Sequence, residues 1–339
     1  MDEIPVALYV SALGTGLLFG YVIQRGGFCL TRALSNAVLM RDGAILRAYM
    51  LALLVAMIGV QVLETLGLVD IPLRPLHWLS NILGGLLFGA GMILSGGCSG
   101  STWYRVGEGA IGAWVVLLGF AIGATTAGIG LLAPLRTALQ RPTISLGDGG
   151  APTLANIVGL SPWIVVVVLA VAGAIWLARA PREPEHGKWS WPVTGAAVGV
   201  MIAVGWWAST YGDRPVGITF AANTGQLLTY PMVGYPNRVT WSMLMVIGVP
   251  IGAFVAAWTT DQFAWKLPAP ASLVKIFCGG LLMGGSALIG EGCNINQGLT
   301  NSATLAIGSL LTFASMAAGA SATLWLLFLR EGGGVPGRG

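Results

Sequence analysis

Long apolar runs alternate with short polar stretches along most of this chain. Counting windows of about 17 to 25 mainly apolar residues predicts nine membrane spans, roughly 5–23, 44–68, 78–96, 108–132, 161–179, 192–210, 239–260, 271–290 and 303–329. Four intervening stretches, about 25–40, 97–107, 211–226 and 293–302, are too polar or too short to cross, yet are rich in Gly, Ser, Thr and Asn. Such backbone is tolerated at membrane depth only when enclosed by protein or lining a cavity, so these stretches read as re-entrant segments. The spans divide four, one, four, and the odd fifth span threads the second half opposite to the first. The fold class expected is an all-α integral membrane protein with about nine transmembrane helices and four re-entrant segments. A first repeat occupies 1–132, a connecting span and linkers 133–191, and a second, inverted repeat 192–339, with a site near the midplane where the halves meet.

The repeat is visible in one stretch. Gly84-Gly85-Leu86-Leu87-Phe88-Gly89 through Gly96-Gly97-Cys98-Ser99 returns 195 positions later as Gly279-Gly280-Leu281-Leu282-Met283-Gly284 through Glu291-Gly292-Cys293-Asn294. Each copy ends in Gly-Cys followed by residues common at helix starts, so a new helix is expected just after each cysteine. The earlier parts agree weakly: Gly16 to Gly20 resembles Gly195 to Gly199, and Cys29 to Ala33 resembles Gly217 to Ala221, where the cysteine has no counterpart. The Gly-x-x-x-Gly pairs at 16/20, 85/89, 195/199 and 280/284 read as helix-packing faces.

Composition agrees with membrane insertion. The 339 residues are 55% hydrophobic and 9% charged, with a mean hydropathy of +0.79, far from the roughly 25% charged content of soluble domains. The net charge of +4 sits in short loops and needs no nucleic acid to explain it. Twelve of the 17 Lys and Arg residues fall on the face reached after the first span, which places the N-terminus outside and the C-terminus in the cytoplasm. Arg25, Arg32 and Arg105 read mainly as part of that topology signal, with attraction of anions a second reading. The tryptophans, among them Trp78, Trp103, Trp163, Trp206 and Trp207, read as interface anchors. His77 and His186 read as solvated loop residues. The linker Ala180 to Lys188 reads as a solvated joint without chemistry.

Four cysteines occur without a C-x-x-C, so neither a thioredoxin-type dithiol nor a zinc site is indicated, and no cofactor motif or signature of a soluble enzyme is present. Cys278 lies inside an apolar run and reads as a small buried hydrophobe. Cys29, Cys98 and Cys293 follow paired or single glycines at helix breaks and are the candidate site. Helix N-termini there suit an anion. Gly96, Gly97, Gly100 and Gly292 let backbone approach it, and Ser99, Ser101, Asn294 and Asn296 add donors. A neutral thiol is a weak donor and a polarizable neighbour, which matches an anion carrying an exposed sulfur better than a hard oxyanion. Glu291 is the one acid deep in an expected span, with structural and transport roles both open.

With Arg25-Gly26-Gly27-Phe28-Cys29, Ser95-Gly96-Gly97-Cys98-Ser99-Gly100 and Gly290-Glu291-Gly292-Cys293-Asn294 in view, the chain resembles the YeeE/YedE family of bacterial inner-membrane sulfur transporters, in particular its thiosulfate-uptake branch. The resemblance spans nearly the whole chain. It implies an hourglass of inverted halves, with thiosulfate passed along three cysteines by S–H hydrogen bonds. Cys98 would be central, Cys293 nearer the periplasm and Cys29 nearer the cytoplasm. It also implies a small TusA-like cytoplasmic sulfur carrier as partner, and leaves other sulfur or selenium species open. Cys278 lies outside the motifs and receives no role. Two other readings of the residues stand beside this one: a membrane sulfurtransferase that forms a persulfide on Cys98, and an anion channel in which the thiols are incidental.

Overall fold

The computed structural model describes residues 6–72, 75–145, 152–179, 188–212, 214–233 and 239–329; His186 and most of the 180–188 linker lie outside them. Regular structure among these residues is helical, with three isolated β-bridges. In the first half, α1 (Val6–Arg25) leads through a glycine turn to short α2 (Leu30–Ser35), then α3 (Ala44–Thr65), α4 (Trp78–Ser95), α5 (Ser99–Gly107) and α6 (Ile111–Gly128). The middle holds α7 (Ala133–Gln140), α8 (Leu154–Val158) and α9 (Pro162–Ala178). The second half runs α10 (Trp191–Ala208), α11 (Ala221–Val233), α12 (Trp241–Trp258) and α13 (Pro270–Ile289), then π and 3-10 turns over Asn296–Thr304, and α14 (Ile307–Leu324).

Eight of the nine expected spans fall in helical stretches of 18 residues or more that are apolar enough to cross a bilayer. The ninth, α9, is apolar but has 17 residues, which is about 26 Å at 1.5 Å per residue and a little short of a typical hydrocarbon core. Its exposed face carries Val167, Val168, Val171, Ile175 and Trp176. An apolar surface of this kind marks an interface in a soluble protein; on a chain with eight such helices it faces lipid.

Helix pairs set the architecture: α1 packs on α12 and α10 on α3, while α6 packs on α13 and α14 on α4, with α4 and α13 also paired. Glycine makes these approaches possible. A side chain at Gly16 or Gly20 would strike the backbone of Met245 or Val249, and one at Gly195 or Gly199 that of Ala48 or Ala52. At Gly89 and Gly284 it would strike Met316 and Phe120. The four glycine pairs are therefore packing faces, as their spacing indicates.

Polar side chains are buried within a largely apolar core. Ser80, Asn81, Ser95, Ser99, Ser101 and Thr102 of the first half are buried, as are Asn294, Asn296, Gln297, Thr300 and Ser302 of the second. The tryptophans split. Trp78, Trp163 and Trp207 are exposed, but Trp206 is buried and donates from its indole to the Thr300 carbonyl at 3.0 Å, and Trp103 donates to Thr224 Oγ1 at 3.1 Å. These two are interior struts and not interface anchors.

Candidate functional site

Each of the three candidate cysteines occupies the same local structure. Two positions before it the backbone turns left-handed, at Gly27 (φ 58°), Gly96 (φ 70°) and Glu291 (φ 62°). The cysteine carbonyl then accepts the first i+4 N–H of a new helical turn: Ala33 on Cys29 (2.9 Å), Thr102 on Cys98 (2.9 Å) and Gln297 on Cys293 (2.7 Å). All three thiols thus stand at N-cap positions, where backbone N–H groups remain unpaired. The Cys98 sulfur accepts from the Ser101 N–H at 3.5 Å. Glycine suits the left-handed position, whereas Glu291 holds it at a cost of about 1 kcal/mol.

Tertiary packing brings the three turns together. Cys29 shares the wall of one cavity with Gly96 and Ser101, which flank Cys98. Ser99 Oγ donates to Asn294 Oδ1 at 2.9 Å, so the residues that follow Cys98 and Cys293 bond directly across the two halves. The Asn294 amide nitrogen is buried without a hydrogen-bond partner among the described residues. The Gly97 carbonyl accepts from Ser95 Oγ (3.0 Å) and the Gly96 carbonyl from Arg105 (3.1 Å); Gly100 lies against Ile295. Asn296 Oδ1 accepts from Asn301 at 3.2 Å.

Two cavities flank this cluster. The first, about 730 Å³, is lined by Cys29, Gly96 and Ser101 together with Arg32, Arg105, Lys188, Lys266 and Glu108. Four cations against one acid give it a positive field. The second, about 360 Å³, is lined by Gly292, Asn296, Gln297, Glu291 and Arg136, among others. Cys98 and Cys293 line neither and are 1% and 0% exposed. Cys98 bonds to Ser101, which lines the first cavity, and Cys293 follows Gly292, which lines the second.

Tyr49 is the residue that sequence reasoning missed. It is buried in α3, its ring stacked between Phe28 (4.9 Å) and Phe313 (5.3 Å), and its hydroxyl donates to the Asn294 carbonyl at 2.7 Å. The hydroxyl lies within electrostatic reach of all three sulfurs. Through Phe28 it braces the Cys29 turn, and through Asn294 the Cys293 turn. Tyr49→Phe retains the stack and removes one buried bond, a loss of about 1–3 kcal/mol. Uptake by Tyr49→Phe should fall while the amount of protein in the membrane is unchanged; equal uptake per protein would show that the bond is dispensable.

Several expectations need correction. Cys278 is exposed on α13 and is not a buried hydrophobe. His77 is not a free solvated residue: its Nδ1 lies 2.8 Å from Glu291 Oε1, which gives that carboxylate a partner at the edge of the second cavity. Lys188 ends the linker with chemistry of its own, donating to the Gln24 carbonyl (3.0 Å) and Gln262 (2.8 Å) and lying 3.7 Å from Glu108. The register of Cys29 with Gly217 also shifts, because α11 starts at Ala221 and Phe220 takes the N-cap place that Cys29 holds before α2. Arg32 and Arg105 line the first cavity, while Arg25 stacks over Trp189 at 6.0 Å. Since Glu291 holds a left-handed turn, Glu291→Gly should keep the turn and lose only the His77 pair. Uptake near wild type in that variant would assign Glu291 a structural role, and loss of uptake with normal assembly a transport role.

Buried thiols at three helix starts beside two cavities, in a helical membrane protein, fit a transporter for a small solute. The family described as Sulphur transport matches residues 25–322, and the chain belongs to this YeeE/YedE family. It is 30% identical over 329 residues to the thiosulfate transporter TsuA of Spirochaeta thermophila, covering 94% of this chain and 99% of that protein. It is 27% identical over 342 residues to the thiosulfate transporter TsuA of Escherichia coli, covering 96% of each. The chain is thus a membrane-embedded member of a sulphur-transport family.

Proposed function

We propose that the protein is an inner-membrane permease that carries thiosulfate inward between the two cavities, past Cys293, Cys98 and Cys29 in that order. The observation that carries this reading is the cluster itself: two buried sulfurs whose neighbours Ser101 and Gly292 line one cavity each, and a third that opens into the first cavity. Helix N-termini would hold the charged oxygens, and neutral thiols would meet the outer sulfur by weak S–H contacts. Weak contacts at successive depths favour release as well as binding, which conduction requires. The direct Ser99–Asn294 bond supports a midplane where two oppositely threaded halves meet, as do the reciprocal helix pairs α1 with α12 and α10 with α3. Further support comes from Gly84 against Gly290 and Gly279 against Ser95, since these two contacts exchange under the 195-residue shift. On this topology 1–132 and 192–339 are the inverted repeats of an hourglass, 133–191 connects them, the N-terminus is periplasmic, and the cationic first cavity faces the cytoplasm. That cavity would pass sulfur to a TusA-like carrier.

A second reading rests on Cys29 sharing a cavity wall with the residues that flank Cys98. A Cys98 thiolate would attack the outer sulfur of thiosulfate, forming an S–S bond and expelling sulfite, and the persulfide would then move to Cys29. Uptake of thiosulfate labelled in both sulfurs, by purified protein in liposomes, separates the two. The permease delivers both labels inside and leaves Cys98 unmodified by mass spectrometry. The relay leaves sulfite outside and one added sulfur on Cys98 or, after transfer, on Cys29. Transport of sulfate at the same rate as thiosulfate would contradict both.

A further inference from the structure

The wall of the first cavity carries a hydroxyl that the thiol passage does not use. Thr31 stands on α2 two residues after Cys29 and lines that cavity with it. It is 7% exposed, and its Oγ1 is buried without a hydrogen-bond partner among the described residues. Glu108, the one acid among the described lining residues, accepts from Gln24 Nε2 at 2.9 Å and lies 3.7 Å from Lys188, so the charges of Glu108 and Lys188 offset each other. No carboxylate pairs with Arg105 or Lys266, which line the same wall, among the described residues. Both are held in place. Arg105 donates to the Gly96 carbonyl at 3.1 Å, and the Lys266 backbone bonds to Gly109 (3.1 Å) and Ile111 (3.0 Å).

We propose that Thr31, Arg105 and Lys266 form an inhibitory site for tetrahedral dianions such as sulfate, entered from the cytoplasm. The inference rests on the permease reading, which sets this cavity on the inner side, and adds regulation to it. A threonine hydroxyl turns to suit its partner, so an oxyanion oxygen accepts the bond that the protein itself leaves unmade. Cations set around a partly enclosed volume concentrate dianions there, and do so more strongly than they concentrate monoanions. Sulfate offers this wall charge and oxygens but no outer sulfur, so the Cys29 thiol does not draw it onward. It therefore stays in the exit, covers Cys29 and slows the next thiosulfate. Uptake is throttled as internal oxyanion accumulates.

Alkylation of Cys29 by iodoacetamide in the purified full-length protein, read by peptide mass spectrometry with sulfate or chloride at equal ionic strength, tests the site without transport. The reagent is uncharged, so the field of the cavity does not bias its entry. Sulfate should slow alkylation of Cys29 in the wild type, whereas chloride should not. Thr31→Val keeps the shape and removes the donor, and should raise the half-protecting sulfate concentration about tenfold, the loss of roughly one charge-assisted hydrogen bond. Lys266→Gln removes one cation and should shift protection in the same direction, so it decides if Thr31→Val fails to assemble. Right-side-out membrane vesicles loaded with sulfate should take up thiosulfate more slowly than chloride-loaded ones, and Thr31→Val should narrow that gap. Equal alkylation of wild-type Cys29 in the two salts would overturn the site, as would wild-type protection in either assembled variant or equal uptake by the two sets of wild-type vesicles. Cys98→Ser keeps the two ideas apart. It should abolish uptake yet leave sulfate protection of Cys29 intact, and normal uptake in that variant would sink the thiol passage whatever the alkylation shows.

Discussion

Cys98→Ser should abolish thiosulfate uptake while leaving the protein folded and in the membrane. The substitution is nearly isosteric, and the Ser101 N–H that now points at sulfur would find a hydroxyl oxygen instead. What changes is the character of the contact at a fully buried position. A serine hydroxyl is a harder, shorter group and meets the outer sulfur of thiosulfate poorly, so an anion arriving from one cavity lacks its next partner. A contact worth about 2–3 kcal/mol at a single-file step slows passage on the order of 100-fold. Cys29→Ser should be milder, since that residue opens into a wide, cationic cavity where other donors compensate. Wild-type uptake by Cys98→Ser would return the protein to the class of anion channels with incidental thiols.

Gly84→Leu should prevent assembly altogether. A methyl group at Gly84 would already strike the Gly290 backbone, and the partner glycine, Gly279, stands against the Ser95 backbone in the same way. There is no side chain to rotate aside, so α4 and α13 would have to separate, and both helices end in the turns that place Cys98 and Cys293. Overpacking in a tight core costs about 1–3 kcal/mol when side chains can yield, and more where only backbone can. Loss of monodisperse protein after detergent extraction is the expected result. Gly14→Leu, where a side chain would meet open space, is the control and should extract normally. If the two variants behave alike, close helix approach does not govern stability here.

The repeat, the glycine faces and the three cysteine turns were legible because all three are local signals. A 195-residue shift can be read from paired sequences, and Gly-Gly-Cys or Glu-Gly-Cys marks a helix break wherever it lies. Tyr49 was not legible. In an apolar run it looks like any core aromatic, and its meaning comes from Asn294, 245 positions away. The His77–Glu291 pair was hidden for the same reason, since its two members lie 214 positions apart. Cys278 depended on the rotation of α13, which hydrophobicity alone does not fix in a helix apolar on nearly every side. The stretch expected at 161–179 is an apolar helix over Pro162–Ala178, two residues shorter because Ser161 and Arg179 cap it.

The central claim is that one passage between the cavities is lined by three sulfurs. Selenosulfate, in which selenium replaces the outer sulfur of thiosulfate, can be located crystallographically by its anomalous scattering. The account predicts selenium peaks in contact with the Cys293, Cys98 or Cys29 sulfurs, with the oxygens turned toward helix N-termini. Selenium found only away from these thiols, in lipid-facing grooves or along a route that bypasses Cys98, would contradict it.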